Sequence, residues 1–151
     1  MKITVLLKYD HEAVKSLFNN YKKGTSGSQN RKRELFEVIR RELMIHSEME
    51  REIFYRALTS VGSKRAGEFV SSALVEHRAM EQSLHEIAGM NPQDWKFDAR
   101  VLQLIDEVRN HIDREEEEIF DEARKSLPEY RLEELGLEME DRKKILGELA
   151  A

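Results

Sequence analysis

The chain has 151 residues, 40% hydrophobic and 36% charged, with two prolines and seven glycines. That is enough for one domain with a real core, and its balance of polar and apolar residues suits amphipathic helices. Net charge is −5 and cysteine is absent. Disulfides, iron–sulfur clusters and thiolate zinc sites are therefore excluded. The basic residues are interleaved with acidic ones, so the basic stripe of a nucleic-acid interface is missing. The apolar run Ile3 to Leu7 is too short for a signal-peptide core or a membrane span. The expected location is cytoplasmic, with no membrane and no nucleic-acid partner.

Apolar residues recur at spacings of three and four in four long stretches. The first, about Ile3 to Lys23, places Val5, Leu6, Val14, Leu17 and Phe18 on or near one face, and stops in the turn-like Gly24-Thr25-Ser26-Gly27-Ser28. The second follows Ser28 with Phe36, Ile39, Leu43, His46, Glu50, Ile53 and Ala57 on one seam. The third begins after an N-cap at Ser63 and continues through Phe69, Leu74, His77, Leu84 and Ile87 to Gly89. The loop Met90 to Phe97 then leads to Asp98 as cap of the fourth, which carries Val101, Leu104, Val108, His111 and Glu115 before Pro128 stops it after Leu127. A last segment, about 129–150, is charged and weakly periodic at Leu132, Leu135, Ile145 and Leu146. It reads as one or two short helices on the outside. Short connections favour antiparallel neighbours. The predicted fold is all-α: a single domain over 1–151, with an up-down-up-down four-helix bundle over about 3–127 and a C-terminal helical extension.

Of the five histidines, four fall one per bundle helix: His11, His46, His77 and His111. Two are followed four residues later by glutamate, as His46–Glu50 and His111–Glu115, so each pair shares a helix face. Both pairs lie on the apolar seams, where solvated charge does not belong. The two halves of the chain are alike. Acidic Asp10 precedes His11 and Glu76 precedes His77; Glu-Ile-Phe follows each paired glutamate; Glu42 and Glu107 stand one turn before the paired histidines. Imidazole nitrogen suits iron, copper, nickel and zinc, and a carboxylate can bridge two cations. Four imidazoles and two bridging carboxylates would give each of two metals two nitrogens and two oxygens. A six-coordinate iron would keep positions open for an oxo or hydroxo bridge and a small ligand, whereas zinc prefers four-coordinate closure.

Tyr9-Asp10-His11-Glu12, His46 with Glu50 and Phe54, Glu76-His77-Arg78, and His111 with Glu115 and Phe120 together resemble the hemerythrin-like family, the HHE cation-binding domain. The resemblance covers about residues 3 to 127, and the tail is similar to the extra segment of stand-alone bacterial members. It implies a non-haem di-iron centre: His11 and His46 on one iron, His77 and His111 on the other, Glu50 and Glu115 bridging. Two departures separate the chain from the oxygen-carrying members. Where they have a second histidine on the third helix, this sequence has Glu81. They place the last carboxylate five residues after the fourth-helix histidine, here Glu116, while the three-four rhythm favours Glu115. The pattern is that of the four-histidine, two-glutamate members, which weakens simple oxygen storage.

A lone histidine on an apolar face is more often a satisfied core residue than a ligand. Burying four imidazoles and two carboxylates at one level without a metal would cost several kcal/mol for each unpaired group, so a metal is the simpler explanation. His85, eight residues past His77, is expected at the surface or seam. Glu81 is an alternative extra ligand. Glu42 and Glu107 either hydrogen-bond ligand imidazoles or are solvated, the latter being favoured. Met44, Met49 and Phe54 read as core, and Tyr9 and Tyr55 as candidates to flank the site. The expected function is binding of, or reaction with, a small oxidant (dioxygen, peroxide or nitric oxide), with catalase-like turnover as one form. The alternative is an iron or oxygen sensor or an iron carrier. A ferritin-like oxidase is disfavoured because no Glu-x-x-His pair occurs.

Overall fold

A computed structural model describes residues 1–24 and 29–150, with the side chains of Gln29 and 148–150 left aside. Helix α1 is Ile3–Gly24. Helix α2 covers 29–60: it starts as Gln29–Met49, widens into a π-helical turn at Glu50–Tyr55 and resumes as Arg56–Ser60. Helix α3 is Lys64–Ala88. Helix α4 covers 95–126, with a second π-helical turn at Glu115–Ile119, and α5 is Glu129–Ala150. No strand occurs among the described residues. Helices α1 to α4 form the expected bundle, each against its chain neighbour, with α4 closing on α1. The turn read at Gly24 to Ser28 lies, beyond Gly24, outside the described residues.

Local signals account for most boundaries. The Ser63 hydroxyl accepts from the Ala66 amide at 3.3 Å and starts α3 as expected. Gly62 supplies the φ of 74° that the preceding turn needs. Helix α4 starts earlier than the sequence suggested. Asp94, not Asp98, is its cap, accepting from the Lys96 amide at 3.0 Å. Asp98 instead accepts from the Tyr21 hydroxyl at 2.8 Å, tying α4 to α1.

The core divides into two apolar zones, one at each end of the bundle. Phe18, Tyr21, Phe36, Leu84 and Phe97 belong to one, and Leu7, Phe54, Leu58, Val70 and Phe120 to the other. The helical period puts the histidines and glutamates between them. Three seam assignments fail: Val5, Met44 and Ile145 are exposed. Each sits beside a buried neighbour in sequence, and a single-residue step on a helix turns a side chain about 100° away.

The tail is one continuous helix, not one or two short ones. It lies against α1 and α2 and buries Leu132, Leu135, Met139 and Leu146. Gly136 sits under the start of the chain: a Cβ there would collide with the Met1 carbonyl oxygen. No helix of the described residues is long and apolar enough to cross a membrane.

Candidate metal centre

All six residues read from the sequence converge between the two core zones. His11 and Glu115 are 1% exposed, Glu50 is fully buried, and His77 and His46 are 3% and 8% exposed. His111 is half-buried, with its side chain 12% exposed. Potential ligand atoms of His11, His46, Glu50 and Glu115 lie within 4.8 Å of one another, and so do those of Glu50, His77, His111 and Glu115. The two groups share both carboxylates.

The histidines pair within each half of the chain, and the carboxylates reach across the halves. The Nε2 atoms of His11 and His46 are 3.2 Å apart, and those of His77 and His111 are 3.1 Å apart. Glu50 Oε1 is 2.9 Å from His46 Nε2 and 3.3 Å from His77 Nε2, so this one carboxylate addresses both pairs. Glu115 does the same with its two oxygens. Oε1 is 3.3 Å from His11 Nε2 and Oε2 is 3.5 Å from His111 Nε2.

The outward ring nitrogens fix which atom faces the centre. His11 Nδ1 is 2.7 Å from Glu116, His46 Nδ1 is 3.4 Å from Asp10, and His111 Nδ1 is 3.5 Å from Glu76. A carboxylate only accepts, so the hydrogen-bonded Nδ1 of His11 and of His46 carries the hydrogen, and the negative charge of Glu76 favours the same tautomer in His111. His77 Nδ1 meets the Ser47 hydroxyl at 2.9 Å. That hydroxyl spends its single hydrogen on Glu81, at 3.1 Å, and so must accept from His77. In all four rings Nε2 is left as the inward electron pair.

This arrangement is incomplete without positive charge. Two bare electron pairs repel at 3.1–3.2 Å, and two N–H groups cannot face each other there. No hydrogen bond satisfies either oxygen of Glu50 or Oε1 of Glu115, although all three are buried. In native interiors such orphans call for an explanation, an ion being one. Titration points the same way. Burial by itself would push His46 down, but Glu50, Asp10 and Glu115 outweigh it and raise it well above the usual histidine value. Burial opposes His11 and His111 too, and the carboxylates, Glu115 foremost, raise both. Burial would raise Glu50, yet His46 holds it well below the usual carboxylate range. Protons are drawn to the place a cation would take. The donor set of imidazole nitrogens and bridging carboxylates fits iron, and equally lacks the thiolates that softer sites use.

Both π-helical turns begin at the carboxylates shared by the two ligand groups, Glu50 and Glu115. Such wide turns are frequent at functional sites, because the extra residue re-aims the side chains that follow. On α2 it brings Tyr55 inside, where its hydroxyl donates to Glu115 Oε2 and lies 3.3 Å from His77 Nε2. Burial, with Glu115 and Glu50 adding to it, pushes this phenol well above the usual tyrosine value. Tyr55 is therefore a neutral donor. On α4 it brings the Phe120 ring parallel to His11, with centroids 5.8 Å apart.

The remaining candidates fall elsewhere. Glu116 is bonded to the outward nitrogen of His11, and it is Glu115 that belongs to both ligand groups. Glu81 touches Ser47 and Arg51, one bond removed from His77. Glu107 accepts from Gln103 at 3.2 Å, Glu42 lines a cleft with His46, with no hydrogen bond between them among the described residues, and His85 is exposed. Tyr9 is 63% exposed and does not flank the centre. The orienting residues that sequence reasoning missed are Asp10, Glu76, Ser47 and Glu116. The first two were visible as the repeated acidic residue before each lone histidine.

A helical bundle with a buried histidine–glutamate cluster of this kind is a cation-binding bundle. The profile of the hemerythrin HHE cation-binding domain matches residues 2–123. The chain belongs to that family. A crystal structure of an HHE cation-binding domain-containing protein from Mycobacterium kansasii has the same fold, with a TM-score of 0.80 at 23% identity, covering 97% of this chain and 87% of that one. The chain is also 29% identical over 139 residues to a DNA nickase of Nostoc sp. (strain PCC 7120 / SAG 25.82 / UTEX 2576). That match takes in 91% of this chain but only 38% of the relative, whose activity belongs to a much longer protein.

Proposed function

We propose that the chain holds two non-haem iron ions and uses them to bind or react with a small oxidant: dioxygen, peroxide or nitric oxide. His11 and His46 hold one position, His77 and His111 the other, and Glu50 and Glu115 span both. The observation that carries this reading is the pairwise convergence of four Nε2 atoms on two shared carboxylates, three of whose oxygens have no hydrogen-bond partner. Two adjacent irons supply two-electron redox chemistry, which is what peroxide or dioxygen demands.

The surrounding residues supply the rest. Asp10, Glu116, Glu76 and Ser47 keep the Nδ1 hydrogens outward, so that Nε2 stays a donor. Tyr55 holds a proton at Glu115 Oε2, inside the centre and away from bulk water. Phe54, Phe120 and Met49, all buried, wall off solvent. Peroxide decomposition of the catalase type is the form of turnover that such a centre serves with no further substrate.

Metal analysis of the purified protein, with an ultraviolet–visible spectrum before and after hydrogen peroxide, tests the reading. About two irons per chain with ligand-to-metal bands and gas evolution support it. Iron with no reaction to any of the three oxidants moves the function to sensing or carriage. No metal, and no anaerobic uptake of ferrous iron, removes the centre.

A further inference from the structure

The centre is buried, so whatever loads it passes between helices. Three clefts reach its ligands, one between α1 and α2 and two between α3 and α4. One, of about 260 Å³, lies between α1 and α2 and reaches His46. Its rim holds Asp10, already tied to both His46 and Lys143, and Glu42. A second, of about 550 Å³, lies between α3 and α4 and has His111 and Glu115 at its floor. A third, of about 230 Å³, opens between the same two helices beside His77 and His111, with Glu76 and Glu107 in its lining.

The second cleft differs in charge. Its one base, Arg114, is engaged by Glu76. Glu68 and Glu118 also line it, both exposed, and no ion pair joins either to a base among the described residues. Its floor is a second observation: Glu115 lines it at 1% exposure, and while Oε2 accepts from Tyr55, Oε1, turned toward His11, lacks a hydrogen-bond partner. Uncompensated carboxylates at the rim therefore lead to an unsatisfied carboxylate at the base. Clefts lined by one sign of charge concentrate counter-ions and raise their association rate.

We infer that the larger cleft between α3 and α4 is the route by which divalent cations reach the centre, with Glu68 and Glu118 as the carboxylates that capture them and pass them to Glu115 and His111. This rests on the metal-centre reading. Neither rim residue belongs to the six ligands, so their charge can be removed with the centre left whole.

The test is the rate of Co²⁺ uptake by the metal-free chain, followed by the visible absorption of the bound ion, for the native protein and for Glu68→Gln/Glu118→Gln. The double variant should load about three- to tenfold more slowly at low ionic strength. The difference should shrink as salt screens the rim, and the final stoichiometry and spectrum should match the native protein. Glu42→Gln, in the opposite cleft, should load at the native rate. An unchanged rate in the double variant, or slowing by Glu42→Gln instead, overturns the route alone. A native chain that takes up neither Co²⁺ nor Fe²⁺ overturns the centre and the route together.

Discussion

Tyr55 on α2 donates its hydroxyl hydrogen to Glu115 on α4, across the middle of the bundle and between the two histidine pairs. The bond joins the two π-helical turns, since Tyr55 closes one and Glu115 opens the other. The tyrosine oxygen also stands 3.3 Å from His77 Nε2, beside the His77–His111 pair.

Replacing Tyr55 with Phe keeps the ring and removes the donor. Glu115 then has neither oxygen satisfied, which should destabilise the metal-free chain by about 1–3 kcal/mol. Iron should still bind, with a shifted absorption spectrum, because the six ligands remain. Chemical denaturation and spectra of the two proteins check this. Equal stability and superimposable spectra would mean that the hydroxyl plays no part in the centre.

Ser47 should matter to one metal position and not to the other. Its hydroxyl is what holds His77 in the tautomer that points Nε2 inward, and it touches no other histidine. Ser47→Ala should weaken one of two binding steps by roughly 10–100-fold, the loss usual when a ligand imidazole loses its orienting partner. The other step should keep its affinity. Metal titration against a chelator separates the two. A uniform loss at both steps would show that Ser47 acts on the bundle and not on His77.

The difference between Ser47 and the six ligands is also the difference between what the sequence reveals and what it hides. A helix fixes the direction of every side chain it carries, so His46 with Glu50 and His111 with Glu115 could be placed on one face from spacing alone. Asp10 and Glu76 were conspicuous as a repeat, but each points about 100° away from the histidine beside it. Their partners, His46 and His111, are on neighbouring helices, and only packing brings them together. Tyr55 was hidden for another reason. Five residues after Glu50, it would sit well off the seam of a regular α-helix, and it comes inward because the turn is closed by the wider i→i+5 bonding. The tail was misread because its charged face outweighs a narrow apolar stripe, and the stripe is long enough for one helix only once Met139 is counted.

Two glycines of α5 give a test of that packing. Within a helix, alanine is normally worth up to about 1 kcal/mol over glycine. At Gly147 a Cβ meets nothing within 4 Å, so Gly147→Ala should be neutral to stabilising. At Gly136 it would collide with the Met1 carbonyl and come within 3.2 Å of the Ile3 amide nitrogen. Gly136→Ala should therefore destabilise, by roughly 1–3 kcal/mol, the usual cost of overpacking. Thermal denaturation of both variants decides it, and two equal shifts of the same sign would refute the close approach of the N-terminal segment.

Removing the metal should reverse the way stability depends on pH. In the metal-free chain His11, His46 and His111 are raised above the usual histidine value, because neighbouring carboxylates outweigh the opposing effect of burial. A raised group contributes stability that is complete below its unfolded value and is lost as pH climbs through its folded one. Asp10, Glu50 and Glu116 are lowered, Asp10 and Glu50 despite burial and Glu116 chiefly by its bond to His11. Their contribution is present above the unfolded carboxylate value and is lost as pH falls through the folded one. The metal-free chain should accordingly be most stable at roughly pH 5 to 6, between the two ranges, and weaken on the alkaline side. Metal ions displace the same protons, so their affinity rises with pH. The gap in melting temperature between loaded and chelator-stripped protein should then widen from about pH 6 to about pH 8.5. A stripped protein whose stability is flat or rising over that interval would show that His11, His46 and His111 are not held by Glu50 and Glu115 in the way the geometry requires.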